Sequence, residues 1–200
     1  MKRALTMGKR TVTMLFLLRQ RRDAMKRHSS AASLVLAVLV VLGLTGPVAA
    51  GEQVPFKGSF EGVAIVTPAP TTPGFARSVS ASVDATGNAA HLGRFALAIP
   101  HHVDFPIGFP TNPATDYGSY QFVAANGDTL SADFTGQITP IAGGNAAVNI
   151  ATITGGTGRF AGATGSFTGE HVSLVDPVTG ARTVIGSFEG TISSPGAAKR

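Results

Sequence analysis

The sequence contains neither cysteine nor tryptophan among its 200 residues. The absence of cysteine excludes disulfide bonds, a lipid anchor carried on cysteine and a thiol nucleophile. The sequence also lacks a G-x-S-x-G motif leading from a strand into a helix, so it offers no nucleophile elbow. Packing and hydrogen bonding must therefore provide the stability of the folded part.

Basic residues are scarce after residue 50. Nine of the sixteen Lys and Arg lie in residues 1–50, which hold a single acid, and the remaining 150 residues carry seven basic and ten acidic side chains. Nucleic-acid binding needs clustered Lys and Arg to neutralise phosphates. We therefore predict no nucleic-acid partner and attribute the high pI, about 10.1, to the N-terminal segment.

The first fifty residues have the pattern of a targeting segment. A basic stretch at residues 26–28 precedes the apolar run 31–44, and small residues end at Ala50, as in a secretory signal peptide. We predict a basic extension over residues 1–25, a signal peptide over 26–50 with cleavage after Ala50, and a secreted or periplasmic domain over 51–200.

Two alternatives accompany this interpretation. Met25 offers a second possible translation start, which would remove the basic extension. Residues 31–50 just reach the length of a membrane span, but Gly46 and Pro47 interrupt the apolar run near its end. We therefore favour cleavage and expect no stable membrane span in the mature chain.

The mature segment alternates apolar and polar residues with a period of two, which indicates strands with one buried and one wet face. Leu130, Ala132, Phe134 and Ile138 share one face, for example. Turn signals, including one placed at residues 84–89, separate the runs. Eight strands and no helix are predicted, which favours a closed antiparallel barrel: 54–67, 76–85, 90–100, 118–125, 129–139, 146–154, 163–175 and 182–193.

The glycine-rich stretch 152–169 contains Gly156, Gly158 and Ala161 at the spacing of a dinucleotide-binding loop. Such a loop needs a following helix, whose N-terminus holds the pyrophosphate. Here the next residues are Thr, Phe and further glycines, which favour a strand. We interpret the stretch as a tight reversal between two strands and predict no nucleotide or other cofactor.

The same stretch, ITGGTGRFAGATGSFTG, resembles the hallmark hairpin of allene oxide cyclases and their bacterial barrel-like relatives, and more distantly that of dirigent proteins. The segments HLGRF at 91–95 and AANGDTL at 124–130 resemble elements of the bacterial branch, and the resemblance spans most of residues 54–193. It implies an eight-stranded all-β barrel, and trimers are known among the relatives.

The resemblance does not carry an activity to this chain. Plant allene oxide cyclases convert an unstable fatty-acid epoxide to a cyclopentenone inside an apolar barrel, with a pocket carboxylate. The acid on the first strand here is Glu61, which alternates with Phe60. If Phe60 points inward, Glu61 points outward.

One histidine cluster stands out, formed by His101, His102 and Asp104. In an extended chain His102 and Asp104 share a face, yet a metal site needs three ligands and a supporting shell. We interpret this segment as an exposed loop and predict no metal site. The proline-rich stretch 99–118 around it is expected to cover a barrel mouth, to make a protein contact, or to pack as an ordered surface loop on its own barrel.

These observations favour a non-catalytic barrel that binds a small hydrophobic ligand or acts as an oligomeric structural module. The alternative is a cofactor-free isomerase or cyclase acting on an apolar, fatty-acid-derived substrate by confinement. No catalytic residue is predicted. The expected ligand-binding residues are the inward phenylalanines of the barrel: Phe60, Phe122, Phe134, Phe167 and Phe188.

Overall fold

A computed structural model describes residues 52–193. The predicted extension, signal peptide and cleavage site lie outside these residues. The chain forms eight antiparallel strands, each hydrogen-bonded to the next, and β8 pairs with β1 to close a barrel. The all-β barrel prediction is confirmed, with these strands: β1 (Gln53–Ala69), β2 (Arg77–Ala89), β3 (Gly93–Phe105), β4 (Ala114–Ala124), β5 (Thr129–Ile141), β6 (Gly144–Gly156), β7 (Gly165–Val175) and β8 (Arg182–Ser193).

The alternating pattern places the predicted apolar face inside. In β5, Leu130, Ala132, Phe134 and Ile138 are buried, whereas Asp133 between them is exposed. The same alternation buries Phe60 and leaves Glu61 exposed, as expected. The two-residue period of the sequence therefore correctly predicts which side chains of these strands point into the barrel.

The turn predicted at residues 84–89 is wrong. This segment is the second half of β2, and the chain reverses at residues 90–92, where His91 adopts a φ of 66°. Gly87 lies within this strand, where a Cβ would lie 2.2 Å from the carbonyl oxygen of Ser59 on β1 and 2.5 Å from Cζ of Phe95 on β3. The glycine permits close approach of the neighbouring strands inside the sheet rather than a turn.

The exposed loop predicted around His101, His102 and Asp104 is also wrong. Strand β3 continues to Phe105, so His101 faces the interior and His102 and Asp104 face the outside. The connection to β4 shortens to residues 106–113, and Phe109 packs against Phe105 with ring centroids 5.0 Å apart. The connection packs on its own barrel, one of the expected arrangements.

The glycine-rich stretch closes one end of the barrel. Strand β6 ends at Gly156, a single 3-10 turn spans Gly158–Phe160, and β7 begins at Gly165. Phe160 is fully buried against the interior phenylalanines, and the Nε of Arg159 lies 3.6 Å from the carboxylate of Asp128. The stretch therefore acts as architecture, consistent with its interpretation as a reversal.

Candidate functional site

The half of the barrel next to the glycine-rich stretch 152–169, called the closed half below, is filled by its own aromatic side chains. Phe188 lies 4.9 Å from Phe56, 5.4 Å from Phe122 and 5.3 Å from Phe167 between ring centroids. Each of these rings is at most 3% exposed. Aromatic rings packed at such distances leave little space for a ligand.

The open half contains a cavity of about 180 Å³ at the other end of the barrel, where β2, β6 and β8 begin and β3 and β7 end. Apolar side chains from most of the strands form its walls, and Phe105 and Phe109 lie at its rim. The lining residues combine these walls with a few polar groups, which is typical of a ligand site: Ala64, Val66, Val79, Ala81, Val83, Val103, Ile138, Ala147 and Val184, with Arg77, His101, Asn145, His171, Ser173 and Arg182.

Two wider depressions, of about 690 and 910 Å³, lie on the outer wall of the barrel. They are open to solvent and lined largely by outward side chains, and their acidic residues, such as Glu61 and Glu170, are exposed. The interior cavity is smaller, but it is the one bordered by buried titratable groups. We therefore take it as the candidate site.

A buried carboxyl group lies on the inward face next to this cavity. Asp116 of β4 is fully buried, and the side-chain amide of Asn149 lies 3.2 Å from its Oδ2 and 3.3 Å from the hydroxyl of Tyr120. With the amide nitrogen toward Asp116, it also donates to the carbonyl of Val148 at 3.2 Å. Asp116, Asn149 and Tyr120 thus form a continuous buried polar chain.

Desolvation is the largest cause of the pKa shifts of Asp116 and Tyr120. It raises the pKa of Asp116 to about 6, although the charge of His101 and the hydrogen bond from Asn149 act in the opposite direction. It also raises the pKa of Tyr120 to about 12. Oδ1 of Asp116 has no hydrogen-bond partner in the described part of the chain, so little offsets the cost of burying its charge.

Two histidines form the floor of the cavity. Nδ1 of His101 donates to the carbonyl of Ile99 at 2.9 Å, which leaves Nε2 available toward the interior. Desolvation and the charge of His101 lower the pKa of His171 to about 4. His171 is therefore neutral at pH 7, and it is packed against Phe60 with ring centroids 6.5 Å apart.

A second polar cluster lies on the outer face of β2–β4. Asp104 accepts from Ser78 at 2.5 Å and from Tyr117 at 3.3 Å, and His102 Nε2 lies 3.1 Å from the same carboxylate. Desolvation alone would raise the pKa of Asp104, but hydrogen bonds from Ser78 and Thr72 and the charge of His102 hold it below its ordinary value.

This outer cluster has the residue types of a hydrolase triad in an unsuitable order. Asp104 lies between Ser78 and His102, and in the described chain no hydrogen bond joins Ser78 to His102. A serine nucleophile needs the imidazole as its base. Since Ser78 also accepts from the backbone N–H of Thr72 at 3.0 Å, the cluster fastens the β1–β2 connection to the barrel wall.

The five phenylalanines predicted to bind a ligand all point inward and are buried. Among the described residues, the cavity is lined by other side chains, and these five fill the closed half or back the cavity. Their role in ligand binding stays a prediction.

Sequence reasoning missed Asp116 and Asn149. The signal was present in the strand period, because Asp116 alternates in phase with Tyr120 and Phe122, and Asn149 with Ala151 and Ile153. A polar residue in phase with a buried apolar row is a candidate interior group. His171 is likewise inward and buried.

Two further observations concern the described residues alone. No group of three or more His, Cys, Asp or Glu side chains within 52–193 is arranged to hold a metal ion. In the same range, no helix has the length and apolar character needed to cross a bilayer.

Comparison with known proteins finds no matching family model and no matching curated protein. Among solved structures, the chain is similar to the pterocarpan synthase dirigent protein GePTS1, with 15% identity, a TM-score of 0.43, and coverage of 74% of this chain and 94% of that one. It is also similar to the pterocarpan synthase dirigent protein PsPTS1, with 17% identity, a TM-score of 0.43, and coverage of 72% and 96%. The chain thus has a distant structural similarity to dirigent proteins.

Proposed function

We propose that this chain is an exported, non-catalytic barrel that binds a small hydrophobic ligand in the open half of its interior. The observation that supports binding most directly is the cavity of about 180 Å³ with apolar walls and polar groups at its floor and rim. Export rests on the leader pattern of residues 26–50.

The cavity volume limits the ligand. A cavity of about 150 Å³ lined by apolar side chains binds benzene in a well-studied engineered protein. The cavity here is of similar size, so it accommodates one six-membered ring with a short substituent. A long acyl chain would extend through the mouth into solvent.

The alternative, a cofactor-free isomerase or cyclase, is supported by the buried carboxyl group of Asp116. A pKa of about 6 suits proton transfer near neutral pH. However, Asp116 lies behind the cavity lining rather than in it, and the cavity is short for a fatty-acid-derived substrate. Binding therefore ranks above turnover.

The binding proposal is tested with benzyl alcohol, a neutral ring-sized probe, added to ¹⁵N-labelled protein. We expect NMR shifts at the cavity lining and a Kd on the order of 1 mM, as befits so small a ligand. Ala81→Phe should weaken binding at least about tenfold, because Ala81 lines the cavity and is only half-buried, so a larger side chain can extend into the free space.

The matched control is Ala96→Phe, which makes the same change at an exposed, outward position of β3. It should leave the affinity for benzyl alcohol unchanged. Shifts confined to the outer wall, or equal weakening by both variants, would contradict the proposal.

Self-association is proposed as a second property. Large apolar side chains are exposed on the outer faces of neighbouring strands β6, β7, β8 and β1, beside the exposed carboxylates of Glu61 and Glu170, and exposed apolar surface can mark a contact site. The apolar side chains and their exposed fractions are Val63 57%, Ile65 64%, Val148 51%, Ile150 68%, Leu174 45% and Ile185 58%.

Sedimentation velocity tests this property. We expect an oligomer for the purified protein and a shift toward the monomer in Ile150→Lys, because Ile150 is 68% exposed, its cross-strand neighbours are Thr135 and Thr168, and an unpaired charge there is costly to bury. Val123→Lys, on the outer face of β4 and 45% exposed, is the control. A monomer at all concentrations would refute self-association without affecting ligand binding.

A further inference from the structure

The charged side chains that line the open cavity are all basic. Residues 52–193 contain five basic and ten acidic side chains. Two of the five basic residues, Arg77 and Arg182, line the cavity, and none of the ten acidic residues does. In a segment with excess negative charge, this concentration of positive charge at one mouth would attract an anion.

Both arginines lie at the mouth of the cavity. They are the first residues of β2 and β8, and alternate strands of an antiparallel barrel begin at the same end. Within the described chain neither forms an ion pair, since the ion pairs there are those of His102 with Asp104 and Arg159 with Asp128. Their guanidinium groups therefore keep their hydrogen-bonding capacity for a ligand.

Arg77 is also held in position. Its Cζ lies 4.1 Å from the ring centroid of Phe105, and Phe105 is in turn packed edge-on against Phe109. Stacking uses the face of the guanidinium and leaves its N–H edge free. A side chain ordered in this way loses less entropy when it binds a carboxylate.

We propose that the cavity selects ring-sized organic anions, with the ring among its apolar walls and a carboxylate at Arg77 and Arg182; this rests on the proposed ligand binding. Aromatic monocarboxylates such as benzoate have the required size and charge. Arginine suits them because its planar fork matches a carboxylate with two parallel hydrogen bonds.

The two arginines determine the orientation of such a ligand. They lie at the mouth as the first residues of β2 and β8, and the side chains between the mouth and the floor are mostly apolar. The ring therefore enters first, and the charged group stays at the rim. A cation of the same size would meet the two arginines and is disfavoured.

The test compares benzoate, benzyl alcohol and benzylamine by NMR titration of the purified protein at pH 7.5 and low salt. We expect benzoate to bind at least about tenfold more tightly than benzyl alcohol, the effect of one charge-assisted hydrogen-bonded contact. Benzylamine should bind most weakly. Salt should reduce the preference for benzoate, because the arginines lie at the solvent-facing rim.

Variants assign the preference to the two arginines. Arg182→Gln and Arg77→Gln should each remove most of the benzoate advantage, measured as the ratio of the affinities for benzoate and benzyl alcohol in the same variant. Arg182→Gln is the cleaner variant, because Arg77 also stacks on Phe105. Arg94→Gln, at an exposed outward position of β3, is the charge-matched control and should keep the advantage.

The outcomes separate this inference from the function on which it rests. If benzyl alcohol binds and benzoate binds no better, or if the advantage survives in both arginine variants, anion selection is wrong and ligand binding stands. If none of the probes binds at millimolar concentration, both proposals fail.

Discussion

Phe188→Ala is expected to lower the free energy of unfolding by about 3–5 kcal/mol, the usual loss for a buried phenylalanine. Phe188 is 3% exposed and contacts the rings of Phe56, Phe122 and Phe167. The loss should fall near the upper end of this range. A cavity persists where neighbouring atoms cannot move to fill it.

The neighbours of Phe188 explain why the cavity would persist. Its partners in the barrel are Gly58 on β1 and Gly169 on β7. A Cβ on Gly58 would lie 2.5 Å from Cβ of Ala89 and 2.7 Å from Cζ of Phe188, so the ring packs directly against the backbone at this glycine. Two glycines have no side chains that could swing into the space left by truncation.

Urea denaturation measures this effect as a shift in midpoint with an unchanged slope. The control is Val123→Ala on β4, which faces outward, is 45% exposed and should change stability by less than about 0.5 kcal/mol. A loss below about 1 kcal/mol for Phe188→Ala would mean that the aromatic cluster is loosely packed.

The same position distinguishes core from ligand site. In Phe188→Leu, which retains most of the buried volume, the affinity for benzyl alcohol should stay within about twofold, because Phe188 is not among the residues lining the cavity. A large loss of affinity in this variant would instead support the prediction, made from the sequence, that Phe188 contacts ligand.

The strand period predicted the direction of side chains but not their depth along the barrel axis. Phe134 and Ile138 were both correctly placed inside, yet only Ile138 lines the cavity. Which rings meet to fill one half depends on the stagger between strands, and a single strand's pattern contains no information about it. The division into a filled half and an open half therefore required the three-dimensional structure.

Glycine was one source of error in the predicted boundaries, beside the proline-rich stretch in which β3 ends and β4 begins. At Gly87 the residue was taken as a turn signal, whereas it relieves contact with Phe95 inside a strand. At Gly158, with a φ of 58°, the residue does form a tight reversal. Sequence alone does not separate these uses, because a glycine required by a neighbouring ring and one required by backbone conformation look alike.

The second large effect concerns pH, because two buried groups on the inward face titrate in opposite senses. The pKa of Asp116 rises from 3.8 to about 6 on folding, so the folded protein holds a proton that the unfolded chain has released. Its contribution makes the protein less stable as pH rises from about 4 to about 6, by about 3 kcal/mol in all.

His171 has the reverse effect. Its pKa falls from 6.5 to about 4 on folding, so between these values the unfolded chain binds the additional proton. Its contribution makes the protein less stable as pH falls from about 6.5 to about 4, again by about 3 kcal/mol. The two windows overlap, so the opposing contributions largely cancel in the wild-type protein.

Replacing either Asp116 or His171 should leave the pH dependence of stability that comes from the other residue. Asp116→Asn leaves the His171 contribution, and the free energy of unfolding should increase from pH 4 to pH 6.5. His171→Gln leaves the Asp116 contribution, and the free energy of unfolding should decrease over the same interval. Urea unfolding at intervals between pH 4 and pH 7 measures both slopes, and each should reach about 3 kcal/mol across the window.

The difference between the two variants is more informative than either profile alone. His101 faces both groups, and its charge favours the ionised form of Asp116 and the neutral form of His171. Asp133→Asn, at an exposed outward position of β5, should reproduce the wild-type profile. Slopes of equal sign in Asp116→Asn and His171→Gln would show that at least one of these groups is solvated in the folded protein, and the buried floor of the cavity would then have to be reconsidered.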